Sequence, residues 1–160
     1  MPPQARSGVA LRVSPGWGEH AENGPEAELL YAAVWGDTDA VKALLAEAPR
    51  LGVNAADTAG NTALMRAANG GYIEMVTALL AAPGLDVNAA DGDGWTALMW
   101  AVNGGHAENV RALLAYPGVD VSATDRNGRT ARALAKAGGN GKIASLLRPP
   151  GTNDTCCVIN

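Results

Sequence analysis

Apolar and polar positions along this chain recur with a long period instead of alternating locally. From Asp57 a short polar stretch with a glycine passes into Thr-Ala-Leu-Met, then into small or branched apolar residues, then Asn-Gly-Gly, and ends on a Leu-Leu pair. The same order starts again at Asp91, 34 residues later, and a third time at Asp125. Thr62, Thr96 and Thr130 keep one offset, Gly60, Gly94 and Gly128 another, and Leu79-Leu80 and Leu113-Leu114 a third. A truncated copy runs from about Glu26, where Leu29, Ala32, Ala33, Gly36, Val41, Leu44 and Leu45 fall in corresponding places. A fixed period of this size marks one supersecondary unit stacked on copies of itself.

Within each unit the residue types dictate the elements. Residues 57–61 and their copies are turn formers between short extended stretches, with Gly60, Gly94 and Gly128 free to take left-handed geometry, and they predict a β-hairpin tip. Thr62 and Thr96 then offer a hydroxyl to the first unpaired amides of a short helix, whose small Ala67, Ala68 and Ala101 allow a neighbour to approach closely. Asn69-Gly70-Gly71 and Asn103-Gly104-Gly105 end that helix, and a second one follows with Met75, Val76, Leu79 and Leu80 at helical spacing. Pro83-Gly84 and Pro117-Gly118 stop the second helix before the next tip. The expected fold class is all-α: a solenoid of about four helix-turn-helix units with β-hairpin tips between them.

One such unit buries a single face, too little to offset the backbone entropy of ordering it, so units must stack and the end units must be altered to meet water. The first copy, 26–56, lacks a hairpin and opens on Gly24-Pro25-Glu26, which suits a first helical turn. In the last copy, 125–148, Arg132 stands in the slot of Leu64 and Leu98, Lys136 replaces an apolar residue, and Gly138, Gly139 and Gly141 weaken the helices. Two full repeats, 57–90 and 91–124, are thus expected between two capping repeats in a domain spanning 25–148. Residues 1–24, rich in Pro, Gly and charge, are expected to be a disordered tail, and 149–160 a flexible one.

The motif Asp-x-x-Gly-x-Thr-Ala-Leu, followed by Ala-Ala-x-x-Gly, Val-x-x-Leu-Leu and Asp-Val-Asn, closely resembles the ankyrin repeat over residues 25–148. Members of that family usually carry Pro after the Thr and His two residues further on, where this chain has Ala63, Ala97 and Ala131, then Met65, Met99 and Ala133. That His commonly ties neighbouring hairpins together, so looser tips are expected. The resemblance implies a non-enzymatic scaffold or adaptor that holds a protein partner on a concave face built from tips and first helices. A soluble inhibitor of a partner enzyme is the alternative use of the same face.

Composition narrows this further. The apolar fraction of 48% contains no Phe, so the core must be built from Ala, Leu and Val, which suits closely packed helices. A net charge of −4 with no long run of one sign argues against a nucleic-acid partner. No apolar stretch approaches the ~20 residues needed to span a bilayer, and the first twelve residues lack the apolar core of a secretory signal, so a cytoplasmic, monomeric protein is expected.

On the implied concave face, the tip residues expected to contact a partner are Asn61, Asp93, Trp95, Arg126 and Arg129. Trp95 leads, because an aromatic at a tip has little structural work and Trp is over-represented among binding hot spots. Tyr31, Arg66, Trp100 and Leu134 share one repeated position on the first helices, with Trp35, Asn69 and Asn103 lining the groove beside them; Arg66 is in a position to stack on Trp100. His106, with no second His or Cys near it, is read as structural, and no metal, cofactor or catalytic constellation is expected. Asn88 sits in a segment resembling one that is hydroxylated in the family; a turn-stabilising role is the competing reading. The ending Cys156-Cys157-Val158-Ile159-Asn160 resembles a prenylation box, which implies peripheral membrane attachment, although its last residue is atypical and no polybasic run precedes it. Two exposed thiols on a flexible tail are the alternative.

Overall fold

The computed structural model describes residues 24–47 and 51–148. Eight helices follow one another among them: α1 Pro25–Trp35, α2 Thr38–Glu47, α3 Ala63–Gly70, α4 Ile73–Leu80, α5 Ala97–Asn103, α6 Ala107–Ala115, α7 Ala131–Ala137 and α8 Gly141–Leu146. None exceeds 11 residues, well short of what is stable alone in water, so packing must supply their stability. Odd-numbered helices stack on one another in one row and even-numbered helices in a second, with each consecutive pair packed across the rows.

The core lies between the rows and between the units. Leu29, Leu64 and Leu98 from the first row meet Val76, Leu79, Val110 and Leu113 from the second, all nearly inaccessible to water. Small Ala67, Ala68 and Ala101 are fully buried where α3 meets α5, so the first-row helices approach on alanine faces, as their spacing predicts.

Threonine caps start three of these helices. The hydroxyls of Thr62, Thr96 and Thr130 accept from the amides of Met65 and Met99 at 3.4 Å and of Ala133 at 3.2 Å, each cap being worth about 1 kcal/mol. Met65, in the slot where the chain departs from the histidine of the motif it resembles, points its sulfur back to the Thr62 amide at 3.5 Å and is buried, so it closes the cap from the other side.

Each tip is narrower than a hairpin. Single antiparallel bridges, Ala56 to Thr62, Ala90 to Thr96 and Thr124 to Thr130, close them, and no strand extends from either side. Nor do the tips stand apart for want of that histidine: the Gly92 amide donates to the Ala59 carbonyl at 2.9 Å and the Arg126 amide to the Asp93 carbonyl at 3.0 Å. Gly60 makes this approach possible. Its φ is +85°, and a Cβ there would come within 2.9 Å of the Gly92 nitrogen.

The linkers carry a second ladder. Asn54 donates to the Gly84 carbonyl and accepts from the Asp86 amide, both at 2.7 Å, and Asn88 repeats this with Gly118 and Asp120 at 2.8 Å each. In the last linker Ser122 stands in that slot and bonds Asp120 within its own turn.

Candidate functional site

The site is built on one aspartate per repeat. Asp91 Oδ1 accepts from the amides of Asp93 and Trp95, both at 2.9 Å, and so holds the tip closed. Its Oδ2 accepts from the Trp100 indole nitrogen at 3.0 Å, nine residues along the chain and on the first helix of the repeat. One carboxylate therefore holds the Trp100 indole and the backbone that carries Trp95. Their ring centroids lie 4.9 Å apart with the planes inclined at 51°, a tilted arrangement favourable for aromatic pairs.

Beside this corner the next tip supplies cations. Arg126 and Asp93 face each other at 3.8 Å with 72% and 82% of their side chains exposed, a loose pair of little energetic weight. Arg129 bends back onto Asp125 at 2.7 Å, and the aspartate side chain is wholly inaccessible. Burial alone would push the Asp125 carboxyl up, but the Arg129 amide, its guanidinium and the Asn127 amide outweigh burial and hold it below the usual range. Asp93, Trp95, Trp100, Arg126, Asn127 and Arg129 together line an open concavity of about 440 Å³.

Five of the concavity's six lining residues are among those expected from sequence, but the geometry revises several roles. Trp95 is half-buried against Trp100 rather than standing free at the tip, so it has structural work as well as an exposed face. Asn61 is 7% exposed and its amide group donates to Asp57, leaving it no side chain to offer a partner. Arg66 does not stack on Trp100; it pairs with Asp57 Oδ2 at 2.6 Å. Burial acts to raise the Asp57 carboxyl, and the Arg66 side chain with the Asn61 and Ala59 amides overrides it, holding the group below 3.8.

Trp35 also shifts register. The amides of Asp37, Tyr72 and His106 donate to Ala32, Ala67 and Ala101, so the first unit is offset by 35 residues from the second rather than 34. Trp35 then corresponds to Gly70 and Gly104, and it is Val34 that stands level with Asn69 and Asn103. Tyr31, Val34 and Trp35 form an exposed stripe on α1, while Asn69 and Asn103 are exposed on α3 and α5. His106 Nε2 lies 3.0 Å from the Asn69 carbonyl and links α6 to α3, in keeping with a structural histidine. Asn88 spends its side-chain amide on the linker ladder at both ends, which favours the turn-stabilising reading.

The residues missed by sequence reasoning are the anchors Asp57, Asp91 and Asp125. Their signal was present in the 34-residue recurrence, where they read only as turn formers. Cys156 and Cys157 lie outside the described residues. Among the described residues no group of three or more His, Cys, Asp or Glu side chains is placed to hold a metal ion, and no helix is long and apolar enough to cross a membrane. A family model of ankyrin repeats, in three copies, matches residues 17–91 and 84–156. No curated protein matches the chain.

Proposed function

The chain belongs to the ankyrin-repeat family of protein-interaction modules, and from that premise we propose that it is a scaffold that holds a partner protein in the concavity between its second and third tips, closed by the Ala90–Thr96 and Thr124–Thr130 bridges. The observation that carries this reading is the Trp95–Trp100 corner fixed by Asp91 beside the exposed guanidinium of Arg126. Two indoles offer an apolar surface already ordered before binding, so little entropy is lost when a side chain of the partner covers it. Arg126 and Asn127 add donors at the rim, suited to the carbonyls or carboxylates of a peptide segment. Arg129, tied to the buried Asp125, serves as a fixed wall.

The surface extends along the first helices to Asn69, Asn103 and the α1 stripe of Tyr31 and Trp35. In this reading the Cys156-Cys157 ending, when lipidated, delivers the bound partner to a membrane. Affinity capture with the wild-type chain, followed by titration of the captured partner against Trp95→Ala, tests the site. Loss of a hot-spot tryptophan is expected to weaken binding by at least about 30-fold. Unchanged affinity in a variant that keeps its melting temperature would remove the concavity as the contact surface. A Cys157→Ser chain expressed in eukaryotic cells tests the tether: both chains found at their own unlipidated masses and both wholly in the soluble fraction would exclude it.

A further inference from the structure

Charge is divided sharply along the solenoid. Residues 24–124 hold twelve acidic and four basic side chains, a net of −8, whereas residues 125–148 hold six basic side chains against the single Asp125, a net of +5. The overall charge of −4 hides this polarity.

The fold turns much of that excess toward one end. Arg132 and Lys136 occupy the slots of Leu98 and Val102, which are buried in the preceding repeat, whose first helix α5 packs on α7. Arg148 stands where Leu80 and Leu114 are half-buried. No further repeat follows among the described residues, and Lys136 and Arg148 are exposed at the end of the stack, whereas Arg132 is half-buried with its Nε inaccessible. Lys136, Lys142 and Arg148 are exposed, and Arg126 is exposed at the tip of the same repeat.

We propose that this end face is a docking surface for an anionic lipid bilayer, engaged end-on through headgroup phosphates. Three features favour a bilayer over an acidic polypeptide or a nucleic acid. Apart from Arg126 and Arg129, which line the concavity, the cations of this repeat are spread along α7, α8 and the residue that follows them instead of lining a groove. Neighbouring repeats stack at helix-packing distances of about 8–10 Å, so the acidic repeats begin about one screening length, ~8 Å, behind the face and repel a flat anionic surface only weakly in this orientation. In sequence, Cys156, Cys157, Val158 and Ile159 follow Arg148 within eleven residues, so an apolar, thiol-bearing segment is covalently joined to the repeat that carries the basic face. The polybasic signal missing from the linear tail is thereby supplied by the folded repeat.

The inference does not depend on the partner concavity or on lipidation, and its test uses the full chain made in bacteria with unmodified cysteines. Co-sedimentation is measured with vesicles of phosphatidylcholine alone and with the same vesicles containing phosphatidylserine. Binding is expected only to the latter, falling as salt approaches 1 M, where screening shortens to about 3 Å. Lys136→Gln with Arg148→Gln is expected to lower the affinity by about 25-fold, at about fivefold per charge. Lys42→Gln, which removes an exposed cation at the far end of the stack, should leave it unchanged. Equal binding to both vesicle types, or no loss in the double variant, overturns the proposal. So does retention of the chain by polyglutamate or an oligonucleotide without any vesicle binding, which would reassign the face to an acidic protein or a nucleic acid. Trp95→Ala should bind vesicles normally, so failure of this inference and failure of the partner site are read separately.

Discussion

The first and second tips share one backbone design and differ in what it holds. At Asp57, Oδ1 accepts from the Ala59 and Asn61 amides, and at Asp91 the same oxygen accepts from Asp93 and Trp95, all at 2.9 Å. The second oxygen then reaches nine residues ahead, to the Arg66 guanidinium in one repeat and to the Trp100 indole in the other. One side chain thus separates two tasks: its first oxygen maintains the fold, and its second orients whichever residue the concave surface displays. Asp125 completes the series. With Leu134 in the column and no donor there, its second oxygen takes the Arg129 guanidinium from its own tip.

Removing the whole anchor should have the largest effect. Asp91→Ala leaves two turn amides without an acceptor and unfastens the indole, a combined cost of about 2–3 kcal/mol, measured by chemical denaturation with tryptophan emission. Asp91→Asn separates the two tasks. Its carbonyl oxygen still accepts from the turn amides while its amino group cannot accept from Trp100, so the cost should fall to about 1 kcal/mol with a change in near-UV signal. Equal losses in the two variants would mean that the indole bond, and not the turn, carries the stabilisation.

The same comparison predicts a pH response. The Asp57 carboxyl is held below its ordinary value of 3.8, so the folded state binds its proton less readily than the unfolded chain does. The resulting stabilisation is present in full above the unfolded value and is lost as pH falls through the lower folded value. Wild-type stability should therefore decline below about pH 4, and Asp57→Asn should flatten that acid limb while lowering stability at neutral pH by about 1–3 kcal/mol. Arg66 sharpens the expectation, because its Nε is buried without a hydrogen-bond partner and Asp57 is its ion-pair partner. An acid limb as steep in Asp57→Asn as in wild type would assign it to other carboxylates.

What was legible in the sequence was local or periodic. Thr62 as a cap, Gly60 in left-handed geometry and the alanine faces of α3 and α5 each follow from one residue and its near neighbours, so the fold could be read before any coordinates. The concave site was half legible. Trp95 and Trp100 are found by their repeat positions, but their mutual tilt depends on a carboxylate nine residues from one of them, and nothing in a turn-forming Asp says where its second oxygen points. The 35-residue offset of the first unit was already implicit in pairing Tyr31 with Arg66 and Leu44-Leu45 with Leu79-Leu80, and only Trp35 was set one position out of register, beside Asn69. The basic end face was hidden because its cations are scattered along residues 126–148, and only stacking shows that Lys136 and Arg148 are exposed where their counterparts in earlier repeats are buried or half-buried.

The smallest effect concerns a departure from the repeat in the core. Asn109 stands in the slot of Met75 and Ile143, is 1% exposed, and donates to the carbonyls of Ala67 and Ala68 at 3.4 and 3.1 Å. Its Oδ1 is buried without a partner. A buried acceptor left unpaired costs about 1–3 kcal/mol, against a net gain of about 0.5–1.5 kcal/mol for each hydrogen bond made. The two contributions nearly cancel. Ala67 O already accepts from the Gly71 and Tyr72 amides, so only Ala68 loses an important donor if the side chain is changed. Asn109→Met should therefore alter stability by no more than about 1 kcal/mol, in the stabilising direction, because it restores apolar packing between α6 and α3. A loss of about 2 kcal/mol or more in the same denaturation experiment would show instead that the asparagine is a required clasp between neighbouring repeats, as Asn54 and Asn88 are in the linkers.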